Sequence, residues 1–226
     1  MILSEKTTEK EQIFSDRKRT NILKTVEQQL IIFLLQKIPK SCTPNMMTAV
    51  GFFGSFIVFI AFILAITVNK YLLLIGIAGL TINWFGDSLD GRLAYYRKTP
   101  RKWYGFALDI VMDWISIALT GIGYFFYAAD ESKIFALLFV VLYGWSMLIS
   151  LLRYKIAGIY RIDSGLLGPT ELRVMIALIL ISEVMITGSI TYLAALITIT
   201  LFIINLVDTK KLLVLGNEHD RKKMEE

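Results

Sequence analysis

Hydrophobic and polar positions in this chain alternate by whole segments rather than by single residues. Residues 46–69, 71–94, 105–128, 134–152, 172–186 and 190–207 are runs of Ile, Leu, Val, Phe, Ala and Gly. Most are long enough to cross a hydrocarbon core of about 30 Å as helix. Lys70 marks a tight turn between the first two runs, and Asp130, Glu131 and Lys133 mark another between the third and fourth. The fifth run carries Arg173 and Glu183. A spanning β-barrel would instead show segments of about ten residues alternating apolar with polar. Ahead of the runs, Ile22, Leu23, Val26, Leu30, Phe33, Leu34 and Ile38 form a helical stripe, with Lys24, Glu27, Gln28 and Lys37 on the other side. Basic residues flank this stripe and a spanning run follows, so it reads as a helix lying in the membrane interface. The expected fold class is an all-α integral membrane protein: six transmembrane helices preceded by an interfacial amphipathic helix.

Composition agrees with this class. The chain has 226 residues, 55% of them hydrophobic, and a mean hydropathy of +0.60. The single cysteine, Cys42, excludes a disulfide framework, and the single histidine, His219, sits in the polar tail. The usual zinc ligands are therefore missing. The N-terminus is polar, without the apolar stretch and small-residue site of a signal peptide. Charge placement fixes an expected orientation. Residues 1–45 hold eight Lys or Arg, 92–104 hold five, 153–173 hold four and the segment after Val207 holds five. With six spans these twenty-two share one side, against Lys70 and Lys133 on the other. The positive-inside rule puts both termini in the cytoplasm. The expected division is a cytosolic polar arm (1–20), the amphipathic helix (21–40), a six-helix transmembrane catalytic domain (44–208) and a charged cytosolic tail (209–226). No nucleic-acid partner is expected.

The candidate chemistry lies between Asp87 and Asp113. Asp87 and Asp90 are three apart, and Asp109 and Asp113 are four apart, so each pair shares a helix face. One Asp at the centre of a bilayer helix costs about 2.5–3.5 kcal/mol. Four with mutual repulsion call for a cation, and hard oxygen ligands suit Mg²⁺, Mn²⁺ or Ca²⁺. Under the six-span topology both pairs fall at the cytosolic interface. Asn45, Thr48, Arg153 and Arg173 fall at the same depth. Carboxylates, metal ions and arginines at one depth make a site that holds phosphates. Gly91, Ala94 and Gly105 are small residues next to the Asp pairs. Read singly, each would serve close helix packing; at this spacing they leave room for a flat group.

These residues resemble the CDP-alcohol phosphotransferase family, class I. Its signature is D-x2-D-G-x2-A-R, then eight or nine residues, then G-x3-D-x3-D. Asp87, Asp90, Gly91, Ala94, Gly105, Asp109 and Asp113 match seven of its eight positions. Tyr95 stands where the family has Arg, and Arg92 and Arg97 lie at other helix angles. The resemblance extends to the six-span plan, the amphipathic helix and the TPN-x-x-T segment from Thr43 to Thr48.

The resemblance implies transfer of a substituted phosphate from a CDP-linked donor to an alcohol, with release of CMP. It implies two divalent cations, Mg²⁺ or Mn²⁺, on Asp87, Asp90, Asp109 and Asp113, with Asp113 also acting as the base on the acceptor hydroxyl. Asn45, Asp87, Gly91, Ala94 and Gly105 would bind the CDP moiety. Arg153, Arg161 and Arg173 would hold the phosphate of a polar acceptor such as inositol phosphate or glycerol phosphate. This favours CDP-diacylglycerol as the donor. A homodimer in contact with membrane lipids is implied, in a bacterial-type cell membrane. The alternative within the same chemistry is transfer from CDP-choline or CDP-ethanolamine to diacylglycerol. A cation-coupled transporter is a reading from another class, since intramembrane Asp residues mark ion paths. It would place polar groups through the full membrane depth, and here Glu183 alone departs from the one-ended cluster. A scaffold with inactive carboxylates is the third.

Overall fold

The computed structural model describes residues 23–158 and 168–225. Among these, the elements are helices α1 (Lys24–Leu35), α2 (Pro44–Thr67), α3 (Leu73–Tyr96), α4 (Lys102–Tyr127), α5 (Lys133–Ala157), α6 (Pro169–Met185) and α7 (Ser189–Glu225), with 3₁₀ turns Lys70–Leu72 and Asp130–Ser132. No strand occurs among the described residues. Five of the helical stretches are long and apolar enough to cross a membrane: those built on α2, α3, α4, α5 and α7. The sixth expected span, α6, has 17 residues and reaches only about 26 Å. It still runs the depth of the bundle. Its first turns carry Arg173 to Asp87, and the turn after it places Thr187 on Lys70 Nζ at 2.7 Å.

Local chemistry explains the helix starts. Thr43 caps α2, its Oγ1 accepting from Met46 N at 3.2 Å, with Pro44 at the first helical position. Pro169 opens α6 in the same way. Glu171 Oε2 accepts from Gly168 N at 3.0 Å, and its Oε1 accepts from Leu23 N at 2.9 Å. Glu171 thus caps α6 and ties it to the start of α1. Helix α7 continues to Glu225, well past the expected end of the span at Val207. The segment has no proline, and Asp208 and Lys211 pair one turn apart at 3.2 Å.

Helix α1 and the residues after it bury only part of the expected stripe, Leu34 and Ile38, against a cluster centred on residues beside it. Ile31 and Leu35 pack with Met47, Leu89 and Leu93, and Glu27 is buried as well. Val26, Leu30 and Phe33 stay exposed. The second core cluster lies toward the other end of the bundle and includes Val58, Phe62, Leu73, Leu80, Tyr124, Leu180 and Ile190.

Helices α2 and α3 make the most extensive contact in the bundle, through glycine. A Cβ at Gly86 would lie 2.1 Å from Gly51 N, and one at Gly54 would lie 2.3 Å from Asn83 N. Both neighbours are backbone atoms that cannot turn aside. Gly86→Ala is expected to cost about 1–3 kcal/mol or more by overpacking and to shift the adjacent Asp87. Thermal unfolding in detergent checks this, and an unchanged midpoint would contradict the close crossing.

Glu183, the polar residue at the wrong depth, has a structural role. It is 2% exposed. Its carboxylate accepts from Tyr127 OH at 2.9 Å, from Gly188 N at 3.0 Å and from Ile190 N at 2.9 Å. Gly188 takes a φ of +92°, which favours glycine. Glu183 therefore stitches the α6–α7 turn to the end of α4.

Candidate metal and phosphate site

The last turns of α3 and the first turns of α4 bring their carboxylates face to face. Asp87, Asp109 and Asp113 each offer an oxygen within 4.8 Å of the others. Asp109 is buried; Asp87 and Asp113 are partly so. Asp90, the fourth expected ligand, stands beside this triad. Its Oδ2 accepts from Thr48 Oγ1 at 2.7 Å, and its Oδ1 accepts from Gly91 N. Three ionised carboxylates so close repel by about 3 kcal/mol or more per pair at an effective dielectric of about 20. Arg173 supplies one opposing charge, with Nη2 on Asp87 Oδ2 at 2.6 Å. Three carboxylates and one guanidinium leave a formal charge of −2. The donors of the triad are all carboxylate oxygens, a set that fits a hard divalent cation such as Mg²⁺ or Mn²⁺.

A row of hydrogen bonds underpins Asp87. Arg173 Nε donates to Asn83 Oδ1 at 2.6 Å. Asn83 Nδ2 donates to Ser55 Oγ at 2.8 Å and to Gly51 O at 3.0 Å. Asp113 lines two cavities. One, of about 30 Å³, is bounded by Ser55, Asn83, Ser116, Tyr143 and Arg173 on one part of its wall and by Val58, Leu80, Leu172 and Ile176 on the rest. The other, of about 90 Å³, lies between α5, α6 and α7, with Tyr143, Ser146, Ser150, Leu172 and Thr200 in its wall.

The small residues fall into two kinds. A Cβ at Gly91 or Gly105 would meet nothing within 4 Å, so neither serves close packing, unlike Gly54 and Gly86. Ala94 is partly buried. Asn45 is exposed at the start of α2, where its Nδ2 donates to Tyr104 OH at 3.2 Å and its Oδ1 accepts from Arg101 at 2.5 Å. The Arg101 guanidinium lies over the Tyr104 ring, 4.2 Å from its centre. Arg97 turns away from the site to the carbonyls of Pro39 and Cys42, and Arg92 is buried. Arg153 pairs with Asp208 of α7 at 3.8 Å. Arg161 lies outside the described residues.

Sequence reasoning missed Ser55, Tyr143, Arg101 and the Asp208 partner of Arg153. Ser55 was readable: Thr48, Gly51 and Ser55 fall on one face of α2. Asp208 was readable too, as an acid at the end of an apolar run.

The five apolar helices make this a multi-pass membrane protein with an acidic cluster able to hold metal. The family model of the CDP-alcohol phosphatidyltransferases matches residues 41–207, and the chain belongs to that family. A comparison with individual curated proteins found no match. Membership makes the chain a transferase of phospholipid biosynthesis, with a CDP-alcohol donor and an alcohol acceptor, in a family that uses divalent metals.

Proposed function

We propose that the protein transfers the phosphatidyl group of CDP-diacylglycerol to the hydroxyl of a polar alcohol, phosphorylated alcohols included, and releases CMP. The observation that carries this reading is the triad of Asp87, Asp109 and Asp113 on neighbouring helices, inside the segment that matches the family. Asp87, Asp90, Asp109 and Asp113 would hold two divalent cations, Mg²⁺ or Mn²⁺. When bound, these neutralise the diphosphate and stabilise the CMP leaving group.

The chain's own residues do the rest. Asp113 takes the proton of the acceptor hydroxyl. The acceptor oxygen forms a bond to the phosphorus that carries diacylglycerol. The bond from that phosphorus to CMP breaks, and CMP keeps the electron pair. The open space at Gly91 and Gly105, with Ala94 and Asn45, takes the CDP moiety. The cavity beside Asp113 has a mostly apolar wall, with Met147, Leu172, Met175 and Leu201, and carries the hydroxyls of Tyr143 and Ser150, which would meet the acceptor alcohol next to the base. Arg153, Arg161 and Arg173 serve its phosphate. The sixth crossing by α6, an interfacial α1, both termini in the cytoplasm, a cell-membrane location and a homodimer belong to the same reading. The exposed Val26, Leu30 and Phe33 of α1 support the interfacial placement.

Release of CMP from CDP-diacylglycerol by purified protein with Mn²⁺ or Mg²⁺, across a panel of labelled alcohols, tests the proposal. No release with any alcohol would overturn it. Tyr95→Arg restores the family residue and is expected to keep or raise that release. A loss beyond about tenfold, or about 1.4 kcal/mol in the barrier, would give Tyr95 a role of its own.

A further inference from the structure

Arg173 enters the site from α6 with its guanidinium held on two sides. Nε and Nη2 donate to Asn83 Oδ1 and Asp87 Oδ2, both at 2.6 Å. Asn83 is fixed in turn by Ser55 and Gly51 O, and Asn83 and Ser55 are 7% and 2% exposed. One row of bonds thus joins α2, α3 and α6 beside the carboxylate triad. This is a seated charge rather than a mobile arm. It faces the helix pair that carboxylate repulsion would push apart.

We propose that Arg173 is the chain's own counter-cation for the metal centre. It holds the carboxylates together when divalent ions are absent, and it weakens the binding of those ions by standing beside them as a like charge. The site can then load and empty without loss of the fold. Coulomb's law sets the sign of the second effect: a fixed positive charge touching Asp87 opposes an incoming dication. The inference rests on the metal reading proposed above, and Arg173 acts here as a positioning residue.

Three variants test it in detergent: Arg173→Met, Arg173→Lys, and Arg173→Met combined with Asp87→Asn. Mn²⁺ binding is measured by calorimetry, and thermal unfolding is followed in EDTA and in Mn²⁺. Arg173→Met is expected to bind Mn²⁺ at least about tenfold more tightly, since charge repulsion at this range outweighs an orienting effect. Its unfolding midpoint falls in EDTA and recovers in Mn²⁺. Arg173→Lys keeps the charge and stays near the wild-type Mn²⁺ affinity. The double variant regains metal-free stability, because the unneutralised carboxylate is gone.

Equal loss of stability with and without Mn²⁺, at unchanged Mn²⁺ affinity, would mean simple packing and overturn the inference. An effect confined to the KM of the acceptor would overturn it too. Should Arg173→Met fold only when purified with Mn²⁺, the inference stands. Should it fold in neither condition, the double variant decides: failure to regain stability in EDTA overturns the inference. A wild-type protein that binds no Mn²⁺ would instead bring down the metal reading itself.

Discussion

Asp113→Asn is expected to lower CMP release by at least about 10²–10⁴-fold, the range that a positioned general base contributes. The amide keeps the shape of the side chain but neither accepts the hydroxyl proton nor offers an anionic ligand. The same change should raise stability in EDTA. Asp113 lies within 4.8 Å of the carboxylate oxygens of Asp87 and Asp109, so removing its charge relieves two repulsive contacts, each about 3 kcal/mol before solvent screening lowers it, against the loss of one attraction to Arg173. Activity lost while the metal-free midpoint rises is the pattern of a residue kept for chemistry at the expense of the fold. Release within about tenfold of wild type would remove Asp113 from the base role. A fall in the midpoint would mean that the carboxylate has a structural bond that outweighs the repulsion.

The second large effect is that of chelation. EDTA is expected to bring CMP release to background, with Mg²⁺ or Mn²⁺ restoring it. Calcium suits oxygen ligands but accepts looser geometry, and it is expected to restore folding stability better than activity. At a metal concentration about 100 times its Kd, binding adds about 2.7 kcal/mol to stability. For a chain of this size that is a midpoint shift of roughly 5–10 °C. Because Arg173 already neutralises part of the triad, the protein should remain folded in EDTA. Complete unfolding on chelation would contradict that, and full activity in EDTA would contradict the metal centre.

The legible part of this protein is local. Carboxylates three and four residues apart had to share helix faces whatever the helices packed against, so the Asp pairs could be read directly. Thr43 and Pro44 could have been read as the cap and first residue of α2, two positions ahead of the apolar run. The glycines were harder, since all look alike along the chain. Gly91 and Gly105, set apart by their spacing to the Asp pairs, face open space, whereas Gly54 and Gly86 face backbone, which their own spacing along α2 and α3 did not announce. Glu183 was misleading for a related reason. Its partners Tyr127, Gly188 and Ile190 belong partly to another helix, so a capping carboxylate read as an isolated polar group in an apolar run. In α1 and just beyond it the stripe was read correctly as apolar but is split: Leu34 and Ile38 pack inward, while Val26, Leu30 and Phe33 face outward. Ile31 and Leu35, beside that stripe, were chosen by the ends of α2 and α3.

The amino-acid order alone determined the membrane class, the succession of apolar helices and the gathering of acidic groups at one end of the bundle. Each follows from hydrophobic length, helical periodicity or simple counting, none of which depends on how helices are rotated. Tertiary structure decided which three carboxylates share a cluster and left Asp90 beside them with Thr48. It also brought Arg173 to Asp87 across 86 positions of sequence. These outcomes rest on the rotation and register of one apolar helix against another. Lipid-facing helices gain little from hydrophobic burial to set that register, so it is set by glycine contacts and buried polar bonds that exist only once the bundle has formed.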